Sequence, residues 1–127
     1  MKRVGSLAVA AVAAVSLTPL MASSAEAASC PSSKFCLYYN SNLGGSYSAL
    51  GASDPDLAGR TFTSAGAGQG QGVKNNAASA WNNTLCGAVV FYNSNYGGPY
   101  DKFLNGQHFN LVNTYNQNAS VRFDSFC

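Results

Sequence analysis

The chain has 127 residues, of which 46% are hydrophobic and only 9% are charged, and its formal net charge is +2. This combination excludes a large enzyme, a coiled coil and a charged disordered tail. The length suits a single domain with a small core.

A signal peptide is predicted over residues 1–27. Two cations near the start, Lys2 and Arg3, precede a short apolar run, and Ala25-Glu26-Ala27 fits the small-residue pattern that signal peptidase cleaves. The apolar run is too short for a helix that crosses a bilayer, so a retained membrane anchor is the disfavoured alternative. We therefore expect a secreted, extracellular protein that consists of residues 28–127.

The mature chain carries five cations and four aspartates, a net charge of about +1. The cations are scattered, so we expect neither nucleic acid nor a membrane as a partner. We also expect no enzymatic activity, because the one close acid pair, Asp54-Pro55-Asp56, has the composition of a turn. Asn82-Asn83-Thr84 and Asn118-Ala119-Ser120 are glycosylation sequons by pattern.

All four cysteines, Cys30, Cys36, Cys86 and Cys127, lie in the mature chain. Exported thiols usually oxidise, so two disulfides are predicted. A zinc site is the alternative. It is disfavoured because the chain has no Cys-x-x-Cys pair and His108 is its only histidine.

Short aromatic or alternating runs recur along the mature chain and predict an all-β fold. We expect strands at residues 35–39, 78–81, 88–92, 108–112 and 120–123. Residues 51–74 are rich in Gly, Ala, Ser and Gln, which predicts a mobile loop. Their glycines resemble a phosphate cradle only superficially, because no parallel strand and helix flank them.

An internal repeat organises the rest of the chain. Residues 38–47 recur as residues 91–100, and Ala78-Ser79 recurs as Ala119-Ser120. We interpret each copy as a strand that runs into a hairpin folded back over its own sheet, with a glycine at positive φ. A later serine would then hydrogen-bond the hairpin backbone. The corresponding residues are Tyr38, Leu43, Gly45 and Ser79 in the first copy, and Phe91, Tyr96, Gly98 and Ser120 in the second.

The pattern of aromatic, second aromatic, glycine and distant serine resembles the βγ-crystallin Greek key. Two such keys behind a signal peptide, with two early cysteines, one central and one terminal, resemble the Streptomyces metalloproteinase inhibitor family of secreted peptidase inhibitors. The resemblance covers nearly all of residues 30–127, with Leu43 in place of the usual aromatic. It implies a two-Greek-key sandwich, with keys at about 34–83 and 86–127, and inhibition of extracellular metalloproteases. The expected partner is an extracellular protease, and we expect a monomer.

Of the three possible disulfide pairings, we predict Cys30 with Cys36 and Cys86 with Cys127. The first pair joins neighbours across Pro31-Ser32-Ser33, and the second ties the chain end to the first strand of the second key.

The inhibitory loop is predicted at Thr84, Leu85, Cys86 and Gly87. The Gly-rich stretch at residues 64–73 is disfavoured for this role, because ordering a flexible segment costs affinity. The family resemblance implies that the bond between Cys86 and Gly87 is the reactive one. The Thr84–Leu85 bond is the alternative, since thermolysin-like enzymes favour a bulky apolar residue just after the cut. The segment could also be a simple connector.

Weak calcium sites are a further possibility, because calcium-binding βγ-crystallins resemble one another in a segment of two Asn or Asp followed by a Ser or Thr. The candidate ligands are Asn75, Asn76, Ser79, Asn116 and Ser120. None is an acid, and neutral ligands give weak calcium sites. The alternative is that both serines only brace their hairpins. A calcium-binding or structural module without a protease target is therefore the second function considered, and a toxin or other binder is the third. No cofactor is expected beyond such calcium.

Overall fold

The computed structural model describes residues 29–124, so the predicted signal peptide and Cys127 lie outside the described residues. The described chain is all-β, as predicted, with a single short 3-10 turn at Leu57–Gly59. Its strands are β1 (Lys34–Asn40), β2 (Gly44–Leu50), β3 (Ser79–Asn83), β4 (Ala88–Asn93), β5 (Gly97–Phe103), β6 (His108–Asn110) and β7 (Ser120–Phe123). β2 and β5 both begin with two glycines and are not recognisable as strands from propensity.

The strands form two antiparallel sheets that exchange segments. The sheet orders are β2-β1-β3-β6 and β5-β4-β7. β6 comes from the second repeat but pairs with β3 of the first. Conversely, Asp54 comes from the first repeat and pairs with Val121 of β7 through two backbone hydrogen bonds of 2.8 and 3.0 Å. Each repeat thus lends its third segment to the other sheet, which is the Greek-key connection.

The core lies between the two sheets. Phe35 and Leu37 of β1 and Ala88 and Val90 of β4 point inward, because alternate residues of a strand share one face. Phe35 meets Phe103 edge to face, with ring centroids 5.4 Å apart. Each such large apolar side chain contributes about 1.5–3 kcal/mol when it is fully buried. The other members of this cluster are Leu50, Leu57, Phe62, Val73, Ala77, Ala80, Leu111 and Val121.

The two hairpins, β1–β2 and β4–β5, repeat one geometry. The strand register shifts between Tyr38 and Asn40 in the first hairpin and at the matching place in the second. Gly45 has a φ of +74° and Gly98 a φ of +84°. The predicted positive φ at both glycines is therefore confirmed, and it is a conformation that a side chain makes costly.

A serine ties down each folded hairpin, as predicted. The Ser79 hydroxyl accepts from the Leu43 amide at 3.0 Å and donates to the Asn40 carbonyl at 2.7 Å. In the second repeat the Ser120 hydroxyl does the same at the same distances, with the Tyr96 amide and the Asn93 carbonyl. Both serines are fully buried, so their hydroxyls replace water as the partners of the turn backbone.

Residues 51–74 pack on the domain, and the prediction of a mobile loop is wrong. Leu57, Phe62 and Val73 are buried in the core. The backbone of the segment is also held, since the Ser46 amide donates to the Ala67 carbonyl at 2.9 Å. These three apolar residues are enough to anchor the segment. They are few among small and polar residues, so the average composition of the segment does not predict its packing.

The outer face of the first sheet carries a second, smaller cluster. The predicted Cys30–Cys36 disulfide is present and lies there, with Cα atoms 5.8 Å apart. Tyr38 and Trp81 pack against it. Burial raises the pKa of Tyr38 to about 12, so this phenol stays neutral across the physiological range. Cys30, from the segment before β1, is buried here and covers part of this face.

Replacing either bracing serine tests the hairpin geometry. Ser79→Ala and Ser120→Ala each leave one amide and one carbonyl of a turn without a partner, which should lower the free energy of unfolding by about 1–3 kcal/mol. Urea unfolding of both variants measures the loss. Ser32→Ala is the control, because Ser32 is exposed before β1. Losses no larger than that of the control would show that the hydroxyls do not support the hairpins.

Candidate functional site

The loop between β3 and β4 presents a single apolar side chain to solvent. Leu85 is 80% exposed, whereas its neighbours Thr84 and Cys86 are buried at 6% and 7% exposure. The loop links the two repeats and crosses from the first sheet to the second. Leu85 is therefore the only large side chain that this loop exposes to a binding partner.

The buried side chain of Asn82 holds this loop. Its Oδ1 accepts from the amide of Thr84 at 3.1 Å and from the Thr84 hydroxyl at 2.6 Å. Its Nδ2 donates to the carbonyl of Cys86 at 2.7 Å and to that of Phe103 at 3.1 Å. An amide side chain offers two donor hydrogens and two acceptor positions, so Asn82 uses its full capacity.

Thr84 adds a second set of contacts across the loop. Its Oγ1 accepts from the amide of Cys86 at 3.1 Å and lies 3.1 Å from the Cys86 carbonyl oxygen. The backbone on both sides of Leu85 is thus tied to buried polar groups. A loop fixed in this way loses little conformational entropy when a partner binds.

Neighbouring segments support the loop at both ends. The Asp124 amide donates to the Gly87 carbonyl at 2.8 Å, and a Cβ on Gly87 would overlap the Asp124 carboxylate. On the other side, the Ser33 amide donates to the Asn83 carbonyl at 2.9 Å, and Asn83 Nδ2 donates to the Cys30 carbonyl at 2.8 Å. Cys30 and Ser33, which precede β1, therefore support the loop from this side.

The second predicted disulfide involves a residue beyond the described range. Cys86 lies at the end of the loop, and the described chain contains no free cysteine. Cys127 lies outside residues 29–124, so the pairing of Cys86 with Cys127 stays a prediction.

The candidate calcium ligands lie at the opposite end of the sandwich. Asn75, Asn76 and Asn116 line one polar depression of about 320 Å³. The hydroxyls of Ser79 and Ser120 are already used, since each donates to one hairpin carbonyl and accepts from one amide. Calcium prefers six to eight oxygen ligands that include carboxylates, and the side chains that line this depression are a poor match. Calcium binding stays a prediction, and these donors support a weak site at most.

Sequence reasoning missed the residue that organises the loop. Asn82 stands out in the sequence only as part of a sequon, and the predicted strand ends one residue before it. A polar residue at an inward position of β3 is the one available signal, because buried amides require partners.

The arrangement is that of a βγ-crystallin-like sandwich that carries a locked, outward-facing loop. Three solved structures share the fold: a domain from work on the evolution of the eye lens βγ-crystallin fold, the N-terminal domain of protein S, and a βγ-crystallin from Ciona intestinalis. Their TM-scores are 0.61, 0.57 and 0.54, at 12%, 18% and 19% sequence identity. They cover 79%, 73% and 72% of this chain, and 94%, 97% and 99% of their own.

The model of peptidase inhibitor family I36 matches residues 23–103, and the chain belongs to that family. This membership supports a peptidase inhibitor role and identifies the protein as a non-enzymatic one, as predicted. A comparison with curated proteins found no significant match. Among the described residues, no helix is long and apolar enough to cross a membrane.

Removing the Asn82 side chain tests how the loop is held. Asn82→Ala leaves the carbonyls of Cys86 and Phe103 without their amide donor, which should cost about 1–3 kcal/mol in the free energy of unfolding. Amide hydrogen exchange at Thr84 and Cys86 should also accelerate. Asn105→Ala is the control, because Asn105 is exposed. Unchanged exchange at both amides would show that Asn82 does not fix the loop.

Peptide mapping without reduction tests the second disulfide. We expect one fragment that links Cys86 to Cys127. Removing this bond by substituting both cysteines with serine should cost about 4 kcal/mol on the loop-entropy model. Recovery of Cys86 as an alkylated free thiol would contradict the pairing.

Proposed function

We propose that this protein inhibits an extracellular metalloprotease by inserting the loop at Thr84, Leu85, Cys86 and Gly87 into the enzyme's active site. The observation that carries the proposal is the exposure of Leu85 between two buried, hydrogen-bonded neighbours. A protease cleft binds an extended backbone and one or more side chains. The loop offers both without further ordering.

The same hydrogen bonds explain how a loop can occupy an active site without being consumed. Cleavage on either side of Leu85 would leave the new ends tied through Asn82 and Thr84. The predicted Cys86–Cys127 bond would add a covalent tether. Tethered ends stay close to each other, so the product neither departs nor relaxes as a severed flexible substrate would.

Hydrogen bonding favours the Thr84–Leu85 bond as the one presented to the catalytic zinc. A metalloprotease polarises the scissile carbonyl with its metal. The Cys86 carbonyl, which precedes Gly87, accepts from Asn82 Nδ2 at 2.7 Å, so zinc would have to displace that donor. At the Thr84–Leu85 bond, the outward Leu85 side chain would instead fill the pocket just after the cut.

The proposal includes secretion. The predicted signal peptide over residues 1–27 would export the chain, and the Cys30–Cys36 disulfide suits an oxidising environment. We propose that the protein acts outside the cell, as a monomer, on a protease found there.

Charging the tip of the loop tests the proposal. Leu85→Asp should abolish inhibition of thermolysin-like metalloproteases, because it puts a carboxylate into an apolar pocket beside the metal site. The melting temperature should stay nearly unchanged, since Leu85 is 80% exposed. Residual protease activity after incubation, over a panel that includes serine proteases, measures the effect.

Val112→Asp is the matched control, because Val112 is 75% exposed and follows β6 away from the loop. The control should inhibit as the wild type does. Full potency of Leu85→Asp would place the inhibitory site elsewhere. Inhibition confined to serine proteases would show that the proposed enzyme class is wrong.

A further inference from the structure

The outer face of the second sheet combines aromatic rings with two cations. Phe91 of β4, Tyr100 and Lys102 of β5, and Arg122 of β7 line a shallow depression of about 270 Å³ together with Val89. Val89 pairs across the strands with both Lys102 and Arg122, so the three side chains share one face.

The Arg122 side chain is held in place by rings. Its guanidinium carbon lies 5.1 Å from the centre of the Phe91 ring and 6.0 Å from that of Tyr96. A guanidinium that rests on an aromatic face keeps its N–H donors available at its edge. Tyr100 beside it is 54% exposed. Lys102 is paired with Asp124 at 3.5 Å, but both groups are partly exposed, and such a pair contributes little.

The internal repeat supplies a comparison within the same molecule. Cys36, Ala49 and Trp81 occupy, on the first sheet, the positions that Val89, Lys102 and Arg122 hold on the second. On the first sheet, Cys30 covers part of this face, since its disulfide with Cys36 packs against Tyr38 and Trp81. On the second sheet, an alanine and a tryptophan are replaced by lysine and arginine.

We propose that the outer face of the second sheet is a second docking site, which binds an acidic, extended polypeptide segment of the inhibited protease. On the first sheet the chain covers the matching positions with its own Cys30, whereas on the second sheet Arg122 and Tyr100 stay exposed. The two cations on the second sheet select for carboxylates, since arginine pairs with them in a bidentate manner.

The position of this face relative to the loop supports the same partner. Val89 follows Gly87 by two residues, and Asp124, which donates its amide to the Gly87 carbonyl, pairs with Lys102. The cationic face therefore begins where the proposed inhibitory loop ends. An enzyme seated on Leu85 would extend over it. The inference rests on the proposed function in this respect.

A peptide titration tests the face independently of any protease. The probes are acetyl-Glu-Ala-Glu-Ala-Glu-amide and its counterpart with Gln in place of each Glu. Binding is measured from the NMR chemical shifts of the backbone amides of the protein without its predicted signal peptide. The acidic peptide should shift β4, β5 and β7, and Arg122→Gln should weaken its binding about 5- to 10-fold. Lys74→Gln removes one charge that pairs with Asp56 and does not line this face, so it should leave the binding unchanged.

Equal binding of both peptides, equal loss in the Lys74→Gln control, or no shifts on the second sheet would overturn the proposal. A galacturonic acid pentamer provides the competing chemistry. Tighter binding of this acidic glycan to the same strands would overturn the choice of a polypeptide as the occupant.

Inhibition kinetics on the protease that the Leu85 test identifies then separate the two sites. The double variant Arg122→Gln with Lys102→Gln should slow association about 10-fold at low salt, with the difference vanishing at high salt. Unchanged kinetics in the double variant, with inhibition lost in Leu85→Asp, would overturn the second docking site and leave the proposed function standing. Inhibition lost only in the double variant would support the face and overturn the loop.

Discussion

The exchange of one segment between the two repeats is the constraint on which the rest of the structure depends. Neither sheet is complete without backbone from the other repeat, as β6 beside β3 and Asp54 beside Val121 show. Matching hydrogen bonds cross between the halves, from the Asn75 amide to the Asn118 carbonyl and from the Asn116 amide to the Ala77 carbonyl, at 2.8 and 2.9 Å. Because both sheets are locked together, the link between the two repeats, which carries Leu85, is fixed at both ends.

Where the strands end, buried polar side chains provide the hydrogen bonds that backbone groups would otherwise find in a sheet. The Asp101 carboxylate accepts from the amides of Val112, Asn113 and Thr114 and from the Thr114 hydroxyl, and so shapes the turn after β6. Asn118 bonds to both backbone groups of Ala77. Asn82 has the same role at the loop. A domain with so few helices and such short strands needs these groups, since buried backbone donors and acceptors must find partners.

The sequence predicts the parts of the fold that are repeated. Gly45 and Gly98, like Ser79 and Ser120, occur at corresponding positions, and a recurring spacing points to a shared local geometry. Prediction from the sequence fails where the two repeats differ. The packing of residues 51–74 depends on Leu57, Phe62 and Val73 reaching a core built by distant strands, which composition does not show. The same holds for the candidate site. The position of Cys86 at the start of the second repeat identifies the loop in the sequence. The hydrogen bonds that fix the loop come from Asn82, and its burial depends on tertiary packing.

The burial of Asn82 and Asn118 also bears on the cells in which this protein can be made. Both asparagines belong to sequons, yet both side chains are completely enclosed, with their amides committed to backbone carbonyls. In a secretory pathway that attaches glycans to nascent chains, a sugar placed on either one would arrive before the domain closes. The modified chain could not fold around it, because a bulky polar glycan has no place in the interior. Export from a eukaryotic host would therefore divide the product into unmodified folded molecules and glycosylated molecules that are retained and degraded.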